Sequence, residues 1–341
     1  MKKISIFTVY LCILFIIISC GNSETNPVSD LKLAPKTLPF NVQNTGTTYY
    51  TNISYGSFER NVFDIILPGM EDPASLVLYI HGGGFTGSDK ATIYPSEGFQ
   101  QLVSYLLSRN IAVAAINYRF LEENETEGVL KPLNDSKRAL QFIRHHSYVF
   151  NIDKNKVVLL GSSAGAGTSL WIGFNDDMAQ PDSADDVLKN STRVQGIVAT
   201  ETQSSYDIVG WPSSTFAEPN YQGLDFQAMI GLMTEETVLK FYGISDISEL
   251  NSPGIQEDRK KLDMLALMTE DDPEFYLSNS NNLNIYPTTS DELLHHPLHS
   301  KALMDKSIET NTASIVYLPS MSIDTSGGES IADFIIRKIG N

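Results

Sequence analysis

"VVLLGSSAGAGTSLW" (residues 157–171) sets an apolar run against a turn built almost wholly of small residues. A glycine-rich turn behind a strand can cradle a phosphate, or it can present one side chain as a nucleophile. A phosphate loop of the form G-x-x-x-x-G-K-[ST] needs a lysine, and none occurs between Lys156 and Lys189. The dinucleotide pattern G-x-G-x-x-G also fails, because Gly165-Ala166-Gly167 runs on into Thr168-Ser169-Leu170. What fits is G-x-S-x-G, as Gly161-Ser162-Ser163-Ala164-Gly165, between a strand and a helical run. There the chain turns so sharply that the central serine is strained and its hydroxyl exposed, while the flanking glycines let strand and helix pass closely. Ser163 is the expected nucleophile.

A second glycine motif stands two strands earlier. "LYIHGGGFTGS" carries His81-Gly82-Gly83-Gly84-Phe85 directly behind an apolar run. Glycines there let backbone N–H groups point at one spot, the place where a tetrahedral intermediate develops its negative oxygen. Gly83 and Gly84 are expected to supply two of these donors, with the N–H of Ala164, the residue after the nucleophile, as a third.

Around these motifs, short apolar runs alternate with amphipathic stretches. Strand-like segments fall at 48–55, 61–67, 76–80, 111–117, 157–160, 194–200, 274–277 and 313–318, and the middle ones are almost continuous Val, Ile, Leu and Ala. Such runs suit parallel strands buried on both faces. Helical patterns lie at 98–109, 134–150, 163–174, 297–309 and 330–339, with Asn134 a plausible cap and Pro297 suited to a first turn. The alternation predicts an α/β domain over residues 47–341, with a mostly parallel central sheet and helices on both faces. Residues 202–268 break the rhythm, with seven large aromatics, helical patches and no clear strand. They read as an inserted cap over the site or as a peripheral packing module.

The pairing of HGGGF with G-x-S-A-G, and "NYRF" at 117–120, resembles the hormone-sensitive-lipase-like and feruloyl-esterase-like branch of the α/β-hydrolases. The resemblance runs from about residue 47 to the C-terminus. It implies the α/β-hydrolase fold and a carboxylic-ester hydrolase with a Ser-His-acid triad and no cofactor. It also implies that His81 ties the oxyanion loop and is not the base. The family places its acid just beyond the seventh strand and its histidine after the last one. Here those loops read "SNSNNLN" (278–284) and "PSMSIDTSGGES" (319–330), the first without a carboxylate and the second without a histidine.

The base must then be sought in "ELLHHPLHSKAL", which holds His295, His296 and His299. Among these His296 is the expected base, since a residue just before Pro297 would take the helix N-cap; His299 and His295 are the alternatives. Asp291, in a loop read as extended, is the expected acid, with Glu201 the alternative. A metal is not expected. Pro297 leaves His295 outside the helix that holds His299, and no H-E-x-x-H pattern occurs. The sequence therefore points to a serine esterase of small acyl esters or acylated carbohydrates. The alternative is a catalytically impaired homologue that keeps the pocket to bind a ligand or partner.

The N-terminus reads as an export signal over residues 1–19, with Lys2 and Lys3 before an apolar run. Cys20, directly behind Ile17-Ile18-Ser19, resembles the lipobox of bacterial lipoproteins, in which that cysteine is acylated. The other reading is an ordinary signal with an incidental cysteine. Residues 20–46 would then be a tether, and the protein an exported lipoprotein held to a membrane in the cell envelope. The formal net charge is −17, and −19 once Lys2 and Lys3 are removed. Such a surplus excludes nucleic acid as an expected partner.

Overall fold

The computed structural model describes residues 31, 33–44, 46–281 and 285–340. The expected signal segment and residues 20–30, 32 and 45 of the tether, Cys20 among them, lie outside these residues.

From Leu33 onward the chain forms one unit. Its sheet has nine strands: β1 (Thr48–Ser54), β2 (Val62–Leu67), β3 (Ala74–Ile80), β4 (Ile111–Ile116), β5 (Ile152–Ser162), β6 (Gly196–Thr200), β7 (Phe275–Ser278), β8 (Ser314–Leu318) and β9 (Ile323–Asp324). Their order is β1-β2-β4-β3-β5-β6-β7-β8-β9. Neighbours are parallel from β4 through β8 and antiparallel at both margins.

Every residue of β3 (ASLVLYI) and β4 (IAVAAI) is buried, because helices cover both faces. On one face Val77, Tyr79, Val113 and Leu160 pack with Phe99, Val103 and Leu106 of helix Glu97–Leu107, and with Phe334 and Ile335 of helix Ile331–Ile339. On the other, Phe63 sits 6.0 Å from the Phe142 ring and 5.9 Å from that of Phe150, while Phe275 meets Phe174 at 5.3 Å. Helix ends follow their local chemistry. Ser96 accepts from Phe99 N, and Ser330 with Asp333 forms a capping box.

Eight strands and five helices fall where the sequence pattern puts them, with differences at the edges. β5 begins at Ile152, well before the apolar run. The helix expected from Asn134 starts at Leu130, and Asn134 is not its cap but lies within it, its Nδ2 donating to Leu130 O at 2.8 Å. β9 is too short to read from a pattern. Residues 202–268 hold helices Trp211–Ser214, Phe226–Met233, Glu235–Tyr242, Pro253–Leu262 and Met264–Leu267, inserted between β6 and β7. The insertion packs onto the elbow helix Ala164–Phe174, where Trp171 Nε1 donates to Lys261 O at 2.8 Å.

Phe63 makes the plainest test of the core. It is fully buried and gripped edge-to-face by two rings, so Phe63→Ala should lower unfolding stability by about 3–5 kcal/mol, read from urea midpoints.

Candidate active site

The turn from β5 into helix Ala164–Phe174 holds Ser163 at φ 52°, ψ −123°, a conformation that costs energy for any residue but glycine. Neighbouring atoms explain why the strain persists. A Cβ on Gly165 would lie 2.0 Å from Ile80 O, and one on Gly161 would lie 2.2 Å from Gly165 O. Strand and helix therefore touch backbone to backbone, and the serine has nowhere to relax. Ser163 N donates to Thr200 O at 2.9 Å, pinning the elbow to the end of β6.

The HGGG loop abuts this elbow. A Cβ on Gly82 would meet Ser162 O at 2.8 Å and Ser163 Cβ at 3.2 Å. Gly83 and Gly84 adopt φ of 97° and 59° and are exposed, and Gly83 O accepts from Thr86 N and Gly87 N, both at 3.1 Å. Ala164, first residue of its helix, has an N–H with no intrahelical acceptor. His81 lies under the loop. Its ring stacks on Tyr118 at 4.3 Å and its Nδ1–H donates to Gly82 O at 2.7 Å, while Tyr118 OH donates to His81 O at 2.8 Å. Arg60 Nη2 faces the other ring nitrogen at 3.5 Å, as expected of an unprotonated Nε2. Burial pushes this imidazole down to about 4. From the insertion, Tyr206 OH donates to Ala164 O at 2.5 Å, and its ring meets Phe85 at 5.4 Å.

His295 is the histidine that faces the serine. Its Nε2 lies 2.8 Å from Ser163 Oγ, and its Nδ1 lies 2.8 Å from Asp291 Oδ1. A carboxylate only accepts, so Nδ1 carries the proton and Nε2 is left to accept from the hydroxyl. The expectation for His296 is corrected. It is the N-cap of helix Pro297–Thr310, fully buried, with Nδ1 accepting from Leu298 N at 3.1 Å and Nε2–H donating to Ile285 O at 3.0 Å. The N-cap position turns a side chain back onto its own helix, away from the sheet edge. His299 is buried too. Its Nδ1 accepts from Ser204 N at 3.2 Å and its Nε2–H donates to Leu293 O at 3.0 Å. Burial lowers His296, and it pushes His299 down to about 3.

Asp291 reaches His295 because its segment is not extended. Ser290–Leu294 is a short helix with His295 as its C-cap, so Asp291 and His295 stand at i and i+4 on one side. Glu201 lies just past β6 at φ 53°, and it is Asp291, not Glu201, that bonds His295 Nδ1. The Asp291 side chain is 82% exposed against 19% for His295. Asn279, unremarked in the sequence, occupies the end of β7 and donates through Nδ2 to His295 O at 2.9 Å.

The BD-FAE family model matches residues 63–302, which includes both glycine motifs and the histidine cluster. The chain belongs to the BD-FAE family. Among curated proteins it is similar to the neuroligin-like protein glit-1 of Caenorhabditis elegans, 32% identical over 106 residues, 29% of this chain and 13% of that protein. It is also similar to the chlorogenic acid esterase of Aspergillus niger, 31% identical over 149 residues, 38% of this chain and 28% of that one. The match thus spans under a third of the length of either relative. A solved truncated form of a carbohydrate esterase from gut microbiota is 18% identical with a TM-score of 0.59, over 87% of this chain and 98% of the other. At that identity the likeness is one of fold, the α/β-hydrolase fold, which this BD-FAE member shares.

Three histidines below their ordinary range make stability depend on pH. His81, His296 and His299 take up protons more readily unfolded than folded. The stabilisation is complete above the unfolded value near 6.5 and is lost as pH falls toward about 4 for His81 and about 3 for His299. His81 and His299 each contribute a slope of about 1.4 kcal/mol per pH unit between those values and the unfolded one, and His296 acts in the same direction. Urea midpoints should fall steeply between pH 7 and pH 5, and a flat profile there would contradict these environments.

Proposed function

We propose that this BD-FAE member is a serine carboxylic-ester hydrolase working through an acyl-enzyme. One observation carries the reading: the unbroken hydrogen-bonded run from Ser163 Oγ through His295 to Asp291, set on a strained elbow. Ser163 Oγ attacks the ester carbonyl while its proton passes to His295 Nε2. Asp291 orients the imidazole and stabilises its charged form. The N–H groups of Gly83, Gly84 and Ala164 hold the oxyanion. His295 then protonates the departing alcohol, and a water activated by the same nitrogen releases the acid. Each step needs only a proton relay and fixed dipoles from the chain, without a cofactor. The binding-protein alternative drew its motive from the missing late histidine, and the contact of His295 with Ser163 weighs against it.

The exposed Gly83, Gly84 and Asp291 leave the site open to solvent, which suits an ester carried on a larger molecule. The esterase relatives, one named for chlorogenic acid and one for carbohydrate, support small acyl esters or acylated carbohydrates as substrates. As part of the same proposal the chain is an exported lipoprotein of the hormone-sensitive-lipase-like and feruloyl-esterase-like branch, tethered through a lipid on Cys20. Residues 202–268 are its cap. Among the described residues no helix is long and apolar enough to cross a membrane.

A fluorophosphonate probe should label Ser163, and Ser163→Ala should abolish both labelling and hydrolysis of short-chain aryl esters. His295→Ala should depress kcat by about 10²–10⁴-fold, the usual worth of a general base. Full activity in either variant would overturn the assignment.

Asp291→Asn should cost less than His295→Ala, and the cost should shrink further as salt is added. Water and ions screen a carboxylate that is 82% exposed. A salt-independent loss as deep as that of His295→Ala would refute this ranking.

The lipid is tested by fractionation. The wild-type protein should partition with membranes and Cys20→Ala should not; recovery of lipid-free wild type in the soluble fraction would refute the tether.

A further inference from the structure

The segment that carries both base and acid is a helix of only five residues, Ser290–Leu294. Such a helix is unstable alone, and its last carbonyls have no partner within it. Here three of them in succession are met by buried side chains from three different parts of the fold. Leu293 O accepts from His299 Nε2 at 3.0 Å, Leu294 O from Gln203 Nε2 at 2.9 Å, and His295 O from Asn279 Nδ2 at 2.9 Å. Asn281 Nδ2 adds a longer contact to His295 O at 3.4 Å.

The donors are themselves fixed. Asn279 is fully buried, its backbone N bonded to Tyr317 O at 3.1 Å and its Oδ1 accepting from Asn281 N at 2.9 Å. Ser204 holds His299 Nδ1 as an acceptor, which leaves the proton on Nε2. Gln203 is 5% exposed and lies just past β6, whose end also binds Ser163 N. Serine and histidine are thus referred to one rigid frame, the carboxyl edge of the sheet.

We propose that Asn279, Gln203 and His299 are positioning residues, a carbonyl-capping cage that sets the distance from His295 to Ser163. This rests on the triad reading above. It also gives a reason for the residue type at the end of β7. The family resemblance puts its acid in that loop, but a carboxylate at Asn279 would face the His295 carbonyl with no proton to donate. With the acid carried instead on the base's own turn, at Asp291, this place is taken by an amide that can donate.

Asn279→Asp and Gln203→Glu keep shape and remove a donor. Each should lower kcat by about 10- to 100-fold with KM within about twofold, since displacement of a catalytic group by about 1 Å costs on that order. Assays would run well below each variant's melting temperature, with ester hydrolysis and fluorophosphonate labelling followed together. The Asn279→Asp deficit should narrow as pH falls, because a protonated carboxyl regains a donor, while the Gln203→Leu deficit should not narrow. If both acidic variants keep kcat within twofold of wild type while His295→Ala is inactive, the cage fails and the triad stands. Losses that merely follow melting temperature, with no kcat–KM split, would also overturn it. A wild type that neither labels nor hydrolyses would instead remove the triad reading itself.

Discussion

The carbonyl of Ile80 leaves no room for a side chain at Gly165, and the arrangement of the site follows from that contact. It brings the elbow helix against the point where β3 gives way to the HGGG loop. Ser163 and the glycines of the HGGG loop then become neighbours without any residue reaching across a gap. Because β3 and the buried 157–161 stretch of β5 are hydrogen-bonded partners, the two motifs cannot drift apart without breaking the sheet. The strain at Ser163 is thereby sustained by the core, which includes some of the most buried side chains of the molecule.

This half of the site was legible in sequence because it is local. Each glycine motif follows a continuous apolar run, and steric demands at such turns admit few residue types, so pattern and geometry coincide. The proposed base was not legible in the same way. Three histidines within five positions are equivalent to a pattern, and only packing separates them. His296 and His299 each spend both ring nitrogens on neighbouring atoms, and only His295 has its Nε2 on Ser163. Reading the loop that carries Asp291 as extended hid the decisive spacing. In extended chain Asp291 and His295 are far apart, whereas across one helical turn they touch. The relevant i, i+4 pair was this one, and not His295 with His299. Asn279 carried no signal, since its role depends on a carbonyl supplied by residues well along the chain.

Carrying the proposed base and acid on one turn has a physical cost and a physical return. The cost is exposure. A carboxylate at the surface interacts with its imidazole through water and salt more than a buried one would. The return is geometric. The bond between Asp291 and His295 is internal to one helical turn, so movement of the surrounding loops leaves it intact. Only the approach of that turn to Ser163 depends on the rest of the fold.

The loop after β8, freed of a histidine, has another use. It folds back so that Tyr317 pairs with Asp324 and Leu318 with Ile323, and Thr325 then binds Val316 through both its backbone and its hydroxyl. Without it, β8 would end the sheet as a bare row of N–H and C=O groups, a template on which another chain could add a strand. The two residues of β9, followed by Thr325, Ser326 and two glycines, close that margin, with Asp324 exposed. The stretch in which the family resemblance puts a histidine thus covers the edge of β8.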